Sequence, residues 1–186
     1  MKEEFHPTKI FTHCPRCGKS DFSPNSERSN KCSYCDFVFY FNAASAVCAL
    51  ILNEKGQLLV TRRKHNPSEG MLDLPGGFVD LNESAEHALI RELKEELNLD
   101  IQIDKFLASF PNQYLFNEII YFTCDLAFIC KANFMNDIKP NDDVSECLFI
   151  DPKNLDLDLF AFDSIRRVMK EFLKNIDLSI SPEIVN

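Results

Sequence analysis

The chain has 186 residues, which is enough for one hydrophobic core, or for one core and a small additional module. Hydrophobic residues make up 45% and charged residues 26% of the sequence, as in an ordinary globular protein. The net charge of −9 argues against long-range attraction to nucleic acid or anionic membranes. No apolar stretch is long enough to span a bilayer, and no apolar signal region follows Met1, so we expect a cytoplasmic protein.

The N-terminal part of the chain is marked by paired cysteines. Residues 1–9 show no pattern and are predicted to be a flexible terminus, whereas residues 10–41 contain two Cys-x-x-Cys pairs. The stretch 18–31 between the pairs is rich in Ser, Asn, Asp and Pro and is predicted to be turn or loop. Four thiolates suit tetrahedral Zn²⁺, and Gly18 fits a knuckle whose backbone amides turn towards the sulfurs. The predicted zinc ligands are Cys14, Cys17, Cys32 and Cys35.

Two disulfides or a redox dithiol are the alternative interpretations of these cysteines. A reducing compartment disfavours the disulfides, and two matched pairs disfavour a single redox motif. The module contains only four lysines and arginines, or five with the adjacent Lys9, so we expect its zinc to stabilise a small core rather than to serve nucleic-acid binding. The other four cysteines are predicted to be inert, small core residues. They are Cys48, Cys124, Cys130 and Cys147.

A larger domain is predicted over 42–178, followed by a C-terminal tail over 179–186. Two apolar stretches flank a turn signal and predict a hairpin that feeds a buried sheet. Helices are predicted where apolar residues recur at spacings of three and four. The predicted strands are 46–52, 57–63, 101–110, 118–130 and 147–150, the helices are 84–97 and 162–173, and 64–77 is a loop. This order indicates an α/β sandwich with helices on both faces of one sheet.

Three glutamates on the first predicted helix indicate a metal site. Glu92, Glu95 and Glu96 stand at i, i+3 and i+4 and share one face. Their mutual repulsion is costly unless cations are present, and carboxylate oxygens suit Mg²⁺ or Mn²⁺. Taken alone, the pattern equally fits a solvated helix face with an Arg91–Glu95 pair. The Gly-Gly turn at 76–77 favours the metal site, because it lets the backbone approach a metal or phosphate closely.

The spacing of residues between 77 and 99 resembles the Nudix box of MutT-related hydrolases. In that pattern a glycine is followed after five residues by Glu, and seven residues later by Arg-Glu and then Glu-Glu. The matching residues of this chain are Gly77, Glu83, Arg91, Glu92, Leu93, Glu95, Glu96 and Leu99. Asn98 stands where the family has a glycine at a left-handed helix end. This substitution predicts a small cost in stability and unchanged chemistry.

The resemblance implies a pyrophosphohydrolase with a Nudix-type α/β/α sandwich and a mixed sheet, preceded by a small zinc ribbon. It also implies that water attacks one phosphorus of a diphosphate, assisted by Mg²⁺ or Mn²⁺. The implied ligands of that metal are Glu92, Glu95, Glu96, the Gly77 carbonyl and Glu146. Glu83 is expected to hold Arg91 in place. The catalytic base is left open between Glu96, Glu92 and a downstream acid, for which Glu146 is preferred to Glu118.

Three residues are candidates for contact with the substrate: Arg63, Phe78 and Tyr114. Arg63 ends a predicted strand, where it either binds a phosphate or caps the strand. The ribbon followed by this domain resembles the NADH pyrophosphatases. The NADH pyrophosphatases have a tryptophan-containing signature, of which residues 109–116 of this chain keep only a Ser, a Pro and several aromatic side chains. Tyr114 is one of these aromatics, and it either stacks on a base or packs in the core. We expect a small nucleoside diphosphate derivative as substrate, with NADH as one candidate.

Two other functions are compatible with the motif. A nucleotide-sensing module that does not hydrolyse its ligand is disfavoured by the complete carboxylate set and by the lack of a basic DNA-binding helix. An isomerase acting on a diphosphate ester would need additional pocket residues, and neither Cys124 nor Cys147 can be assigned to that role. Membrane and nucleic-acid partners are not expected, and a homodimer is compatible with the sequence.

Overall fold

The computed structural model describes residues 3–132, 138–141 and 144–179. The chain divides into two compact units. The ribbon unit comprises Met1–Ala44 and Gln113–Thr123, and the sandwich unit comprises Ser45–Asn112 and Cys124–Asn186. The predicted boundary near residue 42 did not anticipate that Gln113–Thr123 belongs with the N-terminal unit. The predicted tail, 179–186, lies outside the described residues except for Ser179, which ends the last helix.

Three helices and ten strands are described in this part of the chain. In chain order they are α1 (Pro7–Ile10), β1 (Phe22–Ser26), β2 (Ser29–Cys32), β3 (Val38–Tyr40), β4 (Ala44–Ile51), β5 (Leu58–Arg63), β6 (Leu72–Asp73), β7 (Gly76–Phe78), α2 (Ala85–Leu97), β8 (Ile101–Phe116), β9 (Ile119–Ala132), β10 (Val144–Ile150) and α3 (Asp163–Ser179). No helix in the described ranges is long and apolar enough to cross a membrane.

The ribbon unit contains a three-stranded antiparallel sheet in the order β1-β2-β3. The loop predicted over 18–31 is therefore wrong for β1 and for most of β2. The polar, turn-forming residues of β1 lie on its exposed positions, and Phe22 alone in that strand is buried. The burial of one aromatic ring and the backbone ladder with β2 thus outweigh the loop propensity of the sequence.

The N-terminal residues also differ from the prediction of a flexible terminus. Glu3–Phe5 forms a short 3-10 helix, and the four residues of α1 follow it. The buried side-chain amide of Asn30 donates hydrogen bonds to the carbonyls of Thr8 at 2.9 Å and Phe11 at 3.0 Å. These bonds satisfy the end of α1 and attach it to β2, a long-range contact that local sequence pattern does not reveal.

The sandwich unit is built on the alternation of β4. Val47, Ala49 and Ile51 pack with Leu89 and other apolar residues of α2. The residues between them, Cys48 and Leu50, pack with residues of α3. Because successive strand side chains point to opposite faces, the two helices cover opposite faces of the β-structure. This arrangement confirms the predicted α/β/α sandwich.

The β-structure of the sandwich unit consists of two sheets, with strand orders β10-β5-β6 and β7-β4-β9-β8. The predicted hairpin from β4 to β5 is present only at its turn, where Leu52 and Leu58 form an isolated antiparallel bridge. The two strands then belong to different sheets, so the prediction of one hairpin is wrong beyond the turn. A parallel bridge joins Leu72 and Phe160, which makes the β-structure mixed. Cys48 and Cys130 are buried as predicted, whereas Cys124 and Cys147 are partly exposed.

Helix α2 is fixed at both ends by its own sequence. Ser84 is the N-cap, and its hydroxyl accepts a hydrogen bond from the His87 N–H at 3.2 Å. Asn98 ends the helix in the left-handed region with φ of 53°. Its N–H donates to the Lys94 carbonyl at 3.0 Å, and the Leu99 N–H donates to the Leu93 carbonyl at 3.1 Å. The left-handed turn at Asn98 therefore satisfies the Leu93 and Lys94 carbonyls near the end of the helix.

We expect Asn98→Ala to lower the free energy of unfolding by about 1 kcal/mol, because alanine has no side chain that eases the left-handed conformation. Asn98→Gly is the matched control and should stay within about 0.5 kcal/mol of the wild type, since glycine adopts this conformation without strain. Urea unfolding followed by circular dichroism measures both variants. Equal stability of the alanine and glycine variants would show that this backbone conformation does not limit stability.

Candidate functional site

Four thiols meet in the ribbon unit. The sulfur atoms of Cys14 and Cys35 are 3.7 Å apart, as are those of Cys17 and Cys32, and all four lie within 4.8 Å of one another. Four sulfurs around a tetrahedral Zn²⁺ with Zn–S bonds near 2.3 Å would be about 3.8 Å apart. All four cysteines are free rather than disulfide-bonded. The donor set and its spacing therefore fit a zinc ion.

Each Cys-x-x-Cys pair forms the same backbone turn. Gly18 has φ of 72° and donates its N–H to the Cys14 carbonyl at 2.8 Å. Asp36 has φ of 58° and donates to the Cys32 carbonyl at 3.0 Å. The sequence indicated the first turn through its glycine, but Asp36 gave no such signal. Burial raises the pKa of the Cys14 thiol, but backbone N–H groups of the knuckle outweigh it and lower that pKa to about 7.

The Arg91 guanidinium organises the acidic residues of α2. Its Nε and Nη2 donate to the two carboxylate oxygens of Glu83 at 3.0 and 2.9 Å. Its Nη1 donates to Glu92 Oε1 at 2.9 Å and to Glu95 Oε2 at 3.1 Å. Nη2 also donates to the Phe78 carbonyl at 3.0 Å. One cation thus joins three of the predicted site carboxylates to the backbone just after the Gly-Gly turn.

The two glycines of that turn are required for different reasons. Gly76 pairs with Cys48 across β7 and β4 and has φ of 148°. A Cβ atom there would collide with the Val47 carbonyl. A Cβ atom on Gly77 would instead collide with the carboxyl group of Glu92. The space left by the missing Gly77 side chain is therefore the space that the Glu92 carboxylate occupies.

The three glutamates of the predicted ligand set differ in burial. Glu96 is 9% exposed, and the side chains of Glu92 and Glu95 are 16% and 58% exposed. These three carboxylates, here called the carboxylate row, thus become more exposed from Glu96 through Glu92 to Glu95. Burial raises the pKa of Glu92 against the opposing effect of Arg91. The Arg91 hydrogen bond lowers the pKa of Glu83. In the described chain these glutamates are not drawn into a compact ligand cluster as the four thiols are.

The two downstream acids occupy different surroundings. Glu146 lies on β10 opposite Arg62, whose Nε donates to Glu146 Oε2 at 2.9 Å, and its side chain is half exposed. Glu118 has φ of 61° in the turn between β8 and β9, within the ribbon unit. Glu146 is thus paired with Arg62, and the role of Glu146 as a metal ligand stays a prediction.

Arg63 is held by contacts that the sequence did not reveal. Its Nη1 donates to Asp73 Oδ2 at 3.0 Å, its Nε donates to the Pro67 carbonyl at 2.9 Å, and its guanidinium lies 4.9 Å from the centre of the Phe162 ring. Asp73 Oδ1 also accepts the Leu74 N–H at 2.9 Å. This ion pair therefore joins the end of β5 to the segment that leads into the Gly-Gly turn. A phosphate contact by Arg63 stays a prediction.

The two aromatic candidates lie in different units. Phe78 belongs to the sandwich unit, where its carbonyl accepts from Arg91 and its side chain is exposed. Tyr114 belongs to the ribbon unit and stacks on Tyr121, with ring centres 5.5 Å apart and an interplanar angle of 16°. Substrate contact by Phe78 and base stacking by Tyr114 stay predictions.

Comparisons with known proteins show which family the sequence matches. Residues 42–172 match the family model described as NUDIX domain. An ADP-ribose pyrophosphatase of Methanocaldococcus jannaschii is 32% identical over 140 residues, which are 74% of this chain and 78% of that protein. A NAD-capped RNA hydrolase NudC of Vibrio atlanticus is 25% identical over 122 residues, which are 66% of this chain. The match covers 45% of that hydrolase, so the chain spans less than half of its length.

Solved structures show the same fold. A NUDIX hydrolase from Nitrosomonas europaea has a TM-score of 0.71 and 21% identity, and the match covers 90% of this chain and 93% of that one. A MutT protein from Methanosarcina mazei has a TM-score of 0.57 and 23% identity, with 72% and 95% of the two chains covered. At these identities the likeness concerns the fold alone.

We expect the purified chain to contain about one zinc ion, bound by the four clustered thiols. Cys32→Ser should remove most of that zinc, because the buried Cys32 sulfur belongs to both the cluster and the small core around Phe22. Cys124→Ser is the matched control outside the cluster and should retain the metal. Elemental analysis with a thiol-reactivity assay measures both. Four reactive thiols and no zinc in the wild type would contradict this prediction.

Asp73 is expected to titrate near pH 6. Burial raises the pKa of this carboxyl group from 3.8 to about 6, although Arg63 and the Leu74 N–H oppose the increase. The Asp73 pKa is higher in the folded state than in the unfolded state. The ionised carboxylate therefore lowers the free energy of unfolding above pH 6. That cost disappears as the pH falls from 6 towards 4, which adds about 3 kcal/mol of stability from this group.

Carbon-13 NMR of the carboxyl groups measures the Asp73 pKa directly. Urea unfolding at several pH values measures its effect on stability, and Asp73→Asn should remove this part of the pH dependence. A resonance that titrates near pH 4, together with an unchanged pH profile in the variant, would contradict the assignment.

Proposed function

The chain belongs to the NUDIX domain family of pyrophosphohydrolases, and from that premise we propose that it hydrolyses the diphosphate of ADP-ribose or of a closely related nucleoside diphosphate sugar. The reaction would add water across one phosphorus–oxygen bond of the diphosphate and, from ADP-ribose, would yield AMP and ribose 5-phosphate. NADH and other dinucleotides are the second substrates to test, because of the similarity to NAD-capped RNA hydrolases.

The arrangement of Arg91 and Gly77 carries this proposal. Arg91 is hydrogen-bonded to Glu83, Glu92 and Glu95, and Gly77 leaves the space that the Glu92 carboxylate needs. A helix whose glutamates merely faced solvent would need neither the arginine network nor this steric constraint. The cost of holding several carboxylates together is typical of a site built for cations.

The carboxylate row supplies the oxygen donors that Mg²⁺ or Mn²⁺ prefers, so Glu92, Glu95 and Glu96 would hold the ion, with the Gly77 carbonyl and Glu146 as further candidates. Such an ion would neutralise charge on the diphosphate and lower the pKa of the attacking water. Glu83 holds Arg91 with both carboxylate oxygens, and Arg91 in turn orients Glu92. Glu96 is the most buried carboxylate of the row, and we assign it to proton transfer from water.

ADP-ribose is preferred to NADH as the proposed substrate because the two matches cover different shares of the related proteins. The match to the ADP-ribose pyrophosphatase spans 78% of that protein, whereas the match to the NudC hydrolase spans 45%. The similarity to the first protein thus extends over most of its length, while more than half of the second has no counterpart in the match.

We expect Glu96→Gln to lower kcat for ADP-ribose hydrolysis by about 10²- to 10⁴-fold, because the amide cannot accept a proton from water. Glu86→Gln removes the same charge from an exposed position in the first turn of α2 and is expected to keep wild-type kcat. Phosphate-coupled product assays with Mg²⁺ and Mn²⁺ measure both variants against a panel of nucleoside diphosphate derivatives. Circular dichroism verifies that each variant is folded.

One outcome would contradict the proposed function, and another would contradict the role assigned to Glu96. A folded wild-type chain that binds a nucleotide but hydrolyses none of the panel would favour the nucleotide-sensing alternative. Equal activity of wild type and Glu96→Gln would remove Glu96 from proton transfer and direct attention to Glu92 or Glu146.

A further inference from the structure

A groove of about 490 Å³ opens beside the C-terminal end of α2, within the sandwich unit. It begins at Glu95, a member of the carboxylate row, and continues past the end of the helix. Its lining residues are Lys94, Glu95, Asn98, Lys139, Pro140 and Asn141. Its volume is within the range of small-ligand sites, which is about 300–1,000 Å³.

The wall of this groove opposite α2 is attached to the helix by backbone hydrogen bonds. The Lys139 N–H donates to the Leu97 carbonyl at 3.2 Å, and the Asn141 N–H donates to the Glu96 carbonyl at 2.8 Å. Both acceptors are terminal carbonyls of α2 that the helix itself cannot satisfy. The backbone of residues 139–141 is therefore attached to the end of α2 that carries Glu96.

The two lysines of the groove differ in their partners. Lys94 Nζ lies 2.9 Å from Asp100 Oδ1, so its charge is compensated. Lys139 is exposed and has no ion-pair partner within 3–132, 138–141 and 144–179. Glu95 shares the single positive charge of Arg91 with Glu83 and Glu92. Of the two lysines in the described groove, Lys139 is therefore the one whose ammonium group is not engaged by an acidic side chain of those residues.

The chemistry of the lining indicates what the groove would bind. Lysine ammonium groups and asparagine amides provide donors, and Glu95 and the amide oxygens provide acceptors. No aromatic side chain is present among its described lining residues, so it lacks a stacking platform for a nucleobase or nicotinamide ring. Sugar hydroxyls both donate and accept, and a sugar phosphate adds the negative charge that Lys139 would complement.

We propose that this groove binds the sugar phosphate moiety of the substrate, with Lys139 donating to one of its oxygens. This inference rests on the proposed function, because it places the groove next to the diphosphate that the carboxylate row would hold. The bond between one phosphorus and the bridging oxygen breaks, water supplies the new oxygen on phosphorus, and the ribose 5-phosphate half stays in the groove as AMP departs. Lys139 is then a specificity-determining residue, and it takes no part in proton transfer.

The kinetic test compares two substrates that share adenosine and the diphosphate. ADP-ribose carries the sugar, and a simple β-alkyl ester of ADP does not. We expect Lys139→Met to raise KM for ADP-ribose about tenfold with kcat nearly unchanged, and to leave KM for the alkyl ester unaltered. Lys170→Met is the matched control, since Lys170 is an exposed residue of α3 on the opposite face of the β-structure. An equal KM increase for both substrates, or no increase for either, would overturn the proposal.

A binding experiment separates this proposal from the proposed function. Ribose 5-phosphate is titrated to roughly 10 mM into the full chain with Mg²⁺, and backbone amide resonances are followed by NMR. Shifts at Lys139 and Asn141 that are weakened by Lys139→Met, but not by Lys170→Met, support the groove even if ADP-ribose is not hydrolysed. No shift at these amides overturns the groove even if ADP-ribose is a good substrate.

Discussion

The guanidinium of Arg91 is the interaction on which the acidic surface of α2 depends. Two like charges 4 Å apart repel each other by about 4 kcal/mol near a protein surface, and this helix carries three glutamates within five residues. Arg91 reduces this repulsion through Nη1, which donates to Glu92 and Glu95, and it binds Glu83 through Nε and Nη2. The five N–H donors of an arginine side chain are fixed in one plane, so Arg91 can bind three carboxylates at once. The ammonium group of a lysine is a point charge without this planar set of donors.

The Gly-Gly turn and the arginine network constrain each other. Arg91 donates to the Phe78 carbonyl, so the backbone that follows Gly77 is fixed to α2. Gly77 must lack a side chain for the Glu92 carboxyl group to lie against it, and Gly76 must lack one to pair closely with β4. The positions of β4, the Gly-Gly turn and α2 therefore depend on one another. This explains why the motif is a set of spaced residues, since Gly77, Glu83 and Arg91 contact one another's elements across the turn.

Local pattern was sufficient to predict the parts of the fold that local physics determines. The apolar stripe of α2 and its start at Ser84 follow from helical periodicity, and the structure has them at the predicted positions. The left-handed helix end at Asn98 was implied by the family resemblance, and the structure has it too. The pairing of Glu83 with Arg91 was implied by the family resemblance, and periodicity alone would not have distinguished it from an Arg91–Glu95 pair. Both contacts are in fact present.

The features that the sequence did not reveal depend on contacts between distant residues. Asn30 attaches α1 to β2 across more than twenty residues, and Asp73 pairs with Arg63 across a ten-residue separation. Neither asparagine nor aspartate differs in type from its neighbours in ordinary loops, so composition gives no signal for them. The same holds for Gln113–Thr123, which comprises the end of β8, the following turn and the start of β9 and still belongs to the ribbon unit. Strand pattern fixes which face of a strand is buried, but it does not identify the unit that buries it.

Charge is distributed unequally between the two units, and this has consequences for catalysis. In the ribbon unit the number of lysines and arginines equals the number of aspartates and glutamates, so the whole net charge of −9 belongs to the sandwich unit. A diphosphate approaching that unit meets a repulsive field, which salt reduces at long range and not at contact. Binding must then come from cations held locally: metal ions on the carboxylate row and side chains such as Lys139 beside it. An acidic enzyme of this kind selects its ligand at short range, where the positions of a few charges decide specificity, and gains little from electrostatic steering.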